Sequence, residues 1–200
     1  MSRERILGDV SAYYTDKVRE HGATARGVDW STEASQELRF QQLLRVGSGE
    51  GFSLVDFGCG YGALAAHVPA GTRYQGFDIS EEMIARGREQ HPEVKFTADR
   101  GALSTADFAV ASGIFNVRLD HDDDSWRAYV LGVLGELDAL GTRGFAFNML
   151  TSYSDAEKMR ADLYYGDPCF FFDHCKRTYS RQVALLHDYG LYEFTILVRK

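Results

Sequence analysis

Proline is scarce, at 3 in 200 residues, and no proline- or glycine-rich linker interrupts the chain. Collagen-like and low-complexity classes are thereby excluded. Cysteine is also scarce. Cys59, Cys169 and Cys175 form an odd, sparse set, which excludes a disulfide framework and reads as reduced thiols in a cytoplasmic protein. No apolar run approaches the ~18 residues of a membrane span. The opening MSRERILGDV is too charged for a secretory signal. Positive charge is in deficit, with 22 Lys and Arg against 29 Asp and Glu, a net −7. A nucleic acid held through its phosphates is therefore not an expected partner, and neither is a membrane. What is present is a 44% hydrophobic share with 13% aromatics, enough for one real core and against disorder. Glycine, at 20 residues, is the first lead.

Strand-like apolar runs occupy Ser53–Phe57, Arg73–Phe77 and residues 107–112 and 144–150, with a shorter one at 94–97. Near-continuous apolar runs suit strands buried on both faces, hence a parallel sheet. Helical patterns fall between them. Ser80 is placed to cap a helix carrying Met83 and Ile84. Trp126, Val130, Val133, Leu134, Leu137 and Leu140 recur at helix spacing up to Gly141. The alternation predicts an α/β fold, one domain with a mostly parallel sheet and helices on both faces. Residues 1–50 carry two helical patterns, 10–21 and 32–46, and read as a helical lid. Residues 51–150 form the core. Residues 151–177 are an aromatic insertion that opens on a capping box, Ser154 to Glu157. A helix over 180–188 and a strand over 191–199 complete the expectation for 178–200.

The sharpest feature is Val55-Asp56-Phe57-Gly58-Cys59-Gly60-Tyr61-Gly62, which follows a strand and leads into an expected helix over 61–67. Open α/β sheets bind nucleotides at the carboxyl ends of their strands, where glycines permit tight turns and close ligand approach. The next strand ends at Asp78, 20 residues after Gly58. A carboxylate there can accept both hydrogen bonds of a ribose diol.

Two families share this layout. Gly58-x-Gly60-x-x-Ala63 fits the dinucleotide fingerprint of a nicotinamide (NAD(P)) oxidoreductase. Gly58-x-Gly60-x-Gly62, with Asp56 two residues ahead, resembles motif I of the class I S-adenosyl-L-methionine (SAM) dependent methyltransferases. The second is preferred on three grounds. Asp56 precedes the loop, a helical segment lies before it, and about 140 residues after Gly58 leave little room for a second nucleotide half. Tyr13-x-x-x-Lys17 mimics a short-chain dehydrogenase pair but lies on the wrong side of the glycine loop.

The resemblance extends to Phe77-Asp78-Ile79-Ser80 with Met83, to Phe96-Thr97-Ala98-Asp99, and to Ser112-Gly113-Ile114-Phe115. It covers about half the chain. It implies a Rossmann-like sandwich with strand order 3-2-1-4-5-7-6 and an antiparallel last hairpin. It implies SAM as cofactor and S-adenosyl-L-homocysteine (SAH) as product. Cofactor contacts would come from Asp56, Gly58, Cys59, Gly60, Tyr61, Gly62, Asp78, Ile79, Met83, Asp99, Ser112, Gly113 and Phe115. Asp99 reads equally as a cap of the Arg100-Gly101 turn, and Cys59 has no chemistry of its own. The sequence departs from the family at its end. Only one late strand is evident, its hairpin partner being short, near residues 170–172, or missing.

Trp30, Gln36 and Arg39 stand in the N-terminal segment, with Tyr13, Tyr14 and His21. Trp30 and Arg39 are taken as cofactor contacts, Arg39 as a bidentate holder of the SAM carboxylate; a plain surface helix is the rival. Asp120-His121-Asp122-Asp123-Asp124 reads as an acidic helix start rather than a metal site. Cys169, Asp173, His174 and Cys175 match no usual zinc spacing, so no metal is expected. His21, His121 and His174 are weak candidates for a base, needed only if the acceptor must lose a proton. The absence of an Asn/Asp-Pro-Pro-Tyr/Phe motif after the fourth strand, with the acidic balance, favours a small-molecule acceptor. A SAM-binding module without turnover is a further reading.

Overall fold

The computed structural model describes residues 3–28, 30, 32–47, 49 and 51–200. Asp29, in the expected turn between the N-terminal helices, lies outside the described residues. Five parallel strands make the body of the sheet: β1 (Ser53–Phe57), β2 (Arg73–Phe77), β3 (Lys95–Thr97), β4 (Ala106–Ala111) and β5 (Gly141–Leu150). β6 (Gln182–Leu186) and β7 (Glu193–Arg199) add an antiparallel hairpin. The order is β3-β2-β1-β4-β5-β7-β6, the topology that the family resemblance implies.

The apolar runs are explained by two-sided burial. Val55 and Phe57 of β1 and Ala109 of β4 face one core with Trp126, Val130 and Leu134 of α4 (Asp123–Leu140). Leu54 and Val110 face the other, against Phe40 and Leu43 of α2 (Glu33–Leu44). Thr32 caps α2 by accepting from the Ser35 amide. Ser80 caps α3 (Glu81–Gln90) by accepting from the Met83 amide, as a short hydroxyl at that position should. α1 (Arg3–His21) places Ile6 and Val10 in the α4 core.

Several expectations fail at the carboxyl-terminal half. Residues 180–188 are not a helix. β6 runs beside β7 from Gln182 opposite Arg199 to Leu186 opposite Thr195. Val183 and Leu185 pack on one core, Ala184 and Leu186 on the other. That period of two is the strand signature, and a four-residue apolar run, Val183–Leu186, is too short to distinguish it from a helix. The hairpin partner is therefore present, and the Phe170-Phe171-Phe172 run is helical instead. It lies in α5 (Pro168–Thr178), with Asp167 as N-cap and Pro168 in the first turn, a start signal with a clear mechanism. The Ser154–Glu157 capping box does not form. Ser154 Oγ donates to the Thr151 carbonyl, and only a single 3-10 turn, Ala156–Lys158, follows. The expected helix over 61–67 is likewise one 3-10 turn, Ala63–Ala66.

Candidate active site

A cleft opens at the carboxyl ends of β1, β2 and β4, where the order of strand connection reverses about β1. That is the expected ligand position in an open α/β sheet. Its floor is the glycine loop. Gly58, Gly60 and Gly62 have φ of +80°, +55° and +85°, a left-handed backbone that costs side-chain-bearing residues energy. A Cβ on Gly58 would lie 2.3 Å from Ile114, and one on Gly62 would lie 2.5 Å from Phe96.

The loop's amides turn inward. Gly58 and Cys59 both donate to the Phe77 carbonyl, at 2.7 and 2.9 Å, and Gly62 donates to that of Cys59 at 2.9 Å. Gly60 donates to Asp78 Oδ2 at 2.9 Å. A pyrophosphate is held by free amides at the start of a true helix. Here those four amides are engaged, and the following turn has four residues. Those four amides are not available to a pyrophosphate, which weighs against the dinucleotide reading.

Asp78 is fixed by two backbone donors, Gly60 on Oδ2 and Ser80 on Oδ1, both at 2.9 Å. Each carboxylate oxygen keeps further acceptor capacity, and the residue lines the cleft. Burial raises its pKa, opposed by the Ser80 and Gly60 amides. Asp56 is 2% exposed and accepts from the Tyr74 hydroxyl at 2.6 Å. Burial pushes it up to about 7, the Tyr74 bond opposes this, and Asp78 adds to it. The Cys59 thiol is held well above its usual range, chiefly by burial, so it is no nucleophile.

The roof is supplied by α1. Leu7, Val10 and Tyr14, at i, i+3 and i+7, face the cleft, and Thr15 Oγ1 lies 2.8 Å from Ser80 Oγ. Val28, Trp30, Gln36 and Phe40 close a second side, and Tyr129 and Val133 of α4 a third. Tyr129 is buried and its hydroxyl pushed up to about 12, mainly by that burial. Ser112 Oγ is buried, with no hydrogen-bond partner among the described residues, and Ser112 lines the cleft.

Of the residues picked from sequence, Trp30, Asp56, Gly58, Cys59, Gly60, Tyr61, Asp78, Ile79, Met83, Ser112 and Gly113 come together in the cleft wall. Others do not. Gly62 packs behind the loop against Phe96. Asp99 is exposed and caps the Gly101 amide at 2.8 Å, because the one-turn helix after β3 needs an N-cap. Phe115 is fully buried in the α4 core. Arg39 is taken by Glu193, at 2.7 Å from Nε and 2.6 Å from Nη2, and is not in the cleft wall. His21 ends α1 beside Glu20. His121 is buried 3.1 Å from Asp9, in a separate recess with Arg5, Tyr13 and Leu119. His174 lies on α5, stacked with Phe170, its pKa lowered by burial. No group of three or more metal-ligating side chains occurs among the described residues. Leu7, Val10, Tyr129, Val133 and Arg100 also line the cleft and were not singled out from sequence for it. The helical spacing of 7, 10 and 14 was the available signal for the roof.

A glycine-floored cleft with an acid at the end of β2, on this strand order, is a nucleoside-type ligand site of the Rossmann-like α/β class. Comparison with known proteins gives the family. Residues 55–120 match the family model described as "Methyltransferase domain". A Mycobacterium tuberculosis (strain ATCC 25618 / H37Rv) protein, "Putative methyltransferase Rv1506c", is 53% identical over 161 residues, 78% of this chain and 97% of that protein. Among solved structures, magnesium protoporphyrin IX methyltransferase from Synechocystis PCC 6803 with bound SAH is similar at TM-score 0.65 and 15% identity, covering 100% of both chains. The N-methyltransferase NodS from Bradyrhizobium japonicum WM9, in complex with SAH, is similar at TM-score 0.64 and 15% identity, over 96% of this chain and 98% of that one. The chain belongs to the class I SAM-dependent methyltransferases.

Proposed function

We propose that this protein transfers the methyl group of SAM to a small-molecule acceptor inside the α1-roofed cleft. The observation that carries the reading is the donor set around the glycine loop. The Gly58, Cys59, Gly60 and Gly62 amides are spent within the protein, which suits a ligand without a pyrophosphate on them, and Asp78 stands fixed with spare acceptor capacity for a ribose diol. The buried Asp56 carboxyl supplies the counter-charge for a cationic amino-acid moiety, and the Ser112 hydroxyl a further polar partner.

SAM supplies an electrophilic methyl on a sulfonium, which is lost in an in-line displacement. The protein's own part is positioning and exclusion of water. Leu7, Val10 and Tyr14 of α1 serve as a lid, and Tyr129, Val133 and Ile114 complete a largely apolar wall. Such a wall suits a transition state in which positive charge is being dispersed, and alignment alone contributes much of the rate. None of the three candidate histidines lines this cleft. The small-molecule acceptor is supported by the largely apolar cleft and by the net charge of −7. The similar Synechocystis and Bradyrhizobium enzymes are named for magnesium protoporphyrin IX and for N-methylation.

Thermal melting with SAM, SAH, NADH and NADPH in parallel tests the cofactor assignment. A ligand at ~100 times its Kd stabilises by about 2.7 kcal/mol. The melting temperature is expected to rise with the two adenosyl ligands alone. A rise with a nicotinamide cofactor alone would overturn the proposal.

A further inference from the structure

We infer that Arg39 and Glu193 are positioning residues, a buried clamp that fixes the Trp30 indole over Gly113 at the edge of the cofactor cleft. Arg39 and Glu193 are 7% and 1% exposed, and they are joined by two parallel hydrogen bonds. They are 154 residues apart in sequence. The pair thus ties the N-terminal helix α2 to the last strand β7, which carries no cleft residue.

The flat face of the guanidinium is used as well as its edge. Arg39 Cζ lies 4.0 Å from the centroid of the Trp30 ring. With its edge held by Glu193, the guanidinium can turn only one plane toward the indole, and a stacked arginine holds an aromatic ring in a way a lysine ammonium cannot. Trp30 also packs closely on the bare backbone of Gly113. A Cβ on Gly113 would fall 2.2 Å from Trp30 Cζ2, and Gly113 has φ of +71°. Gly113 is itself pinned from below, its amide donating to the buried Asn148 Oδ1 at 2.7 Å. Glu193, Arg39, Trp30, Gly113 and Asn148 form one chain of contacts from β7 back to β5. Trp30 and Gly113 are the two members that line the cleft.

Net stability does not account for the arrangement. A buried ion pair loses about as much in desolvation as it gains in attraction, and apolar residues of similar volume often do as well. What the pair supplies is orientation. The clamp fixes one wall of the cleft independently of the ligand, and so lowers the ordering cost of binding. The affinity part of this inference rests on the SAM reading; the placement of Trp30 does not.

The test uses the full chain with Arg39→Met and Glu193→Leu combined, so that neither charge is left buried alone. The protein has two tryptophans, and Trp126 is 0% exposed. Acrylamide quenching of the fluorescence therefore reports Trp30, with Trp30→Phe as the control. The double variant is expected to keep its circular dichroism, to show at least twofold stronger quenching, and to bind SAH at least tenfold more weakly. Arg39→Lys keeps the charge but not the flat face, and should shift both readouts in the same direction by less. Should the double variant fail to fold, Arg39→Lys alone decides. Wild-type quenching and wild-type SAH affinity in the folded variants would overturn the clamp. If the unaltered protein binds no SAH, the cofactor reading fails, and quenching still decides whether Arg39 and Glu193 hold Trp30.

Discussion

Asp56 makes the cofactor reading dependent on pH in a defined direction. Its carboxyl rises from 3.8 to about 7, chiefly through burial. Ionising it inside the fold therefore costs about 4 kcal/mol more than in the unfolded chain. The folded state holds the proton more tightly. The stabilisation is fully present below pH 4 and is lost as pH climbs through 7. A cationic group bound beside Asp56 pairs with the ionised form only. Between pH 6 and pH 8 that form rises from about one-tenth to about nine-tenths of the molecules, so SAM affinity should rise about tenfold. Asp56→Asn keeps an acceptor for the Tyr74 hydroxyl and removes the titration. Calorimetric titration of both proteins at pH 6, 7 and 8 isolates the effect, because the ligand's own ionisation is common to the two. The variant should lose the rise. It should also melt higher than the unaltered protein at pH 8, with the difference closing toward pH 4. Equal pH slopes for the two proteins would refute the placement of Asp56 at the cationic moiety.

Further outcomes follow from the same geometry. Asp78→Ala frees the Gly60 and Ser80 amides and removes the diol acceptor; loss of charged hydrogen bonds of this kind weakens binding by roughly 1.5–3 kcal/mol, and unchanged SAH affinity by calorimetry would displace the ribose. Gly60→Val meets two penalties, φ of +55° and a Cβ 3.0 Å from Val28. Left-handed strain costs on the order of 1–3 kcal/mol, so the variant should melt lower as well as lose SAH binding, and wild-type affinity would move the site elsewhere. Cys59 and Cys175 are buried and Cys169 exposed, so a thiol reagent on the folded protein should modify one equivalent quickly and three only after denaturation. A fast second equivalent would contradict the inert state assigned to Cys59.

The features legible in the sequence are local. Gly58, Gly60 and Gly62 are required by a backbone that other residues resist, and Asp78 follows at the end of the next strand, so the floor of the cleft was legible from spacing. The five parallel strands announced themselves because two-sided burial leaves an apolar run. Ser80 and the α4 stripe were likewise readable, each depending only on neighbours within a turn or two.

The remaining features depend on distant partners. β6 is a strand because β7 lies beside it, and its five residues carry too little pattern to say so alone. Arg39 has the chemistry of a carboxylate holder, but the carboxylate it holds is Glu193, supplied 154 residues later. The acidic run at 120–124 gave no hint that His121 would be buried against Asp9 of α1, away from the main cleft. A helical lid over residues 1–50 was read from the sequence, but which of its residues roof the cleft was hidden for the same reason. Leu7 and Val10 are ordinary core spacing on a helix until the fold lays that helix across the ends of β1, β2 and β4.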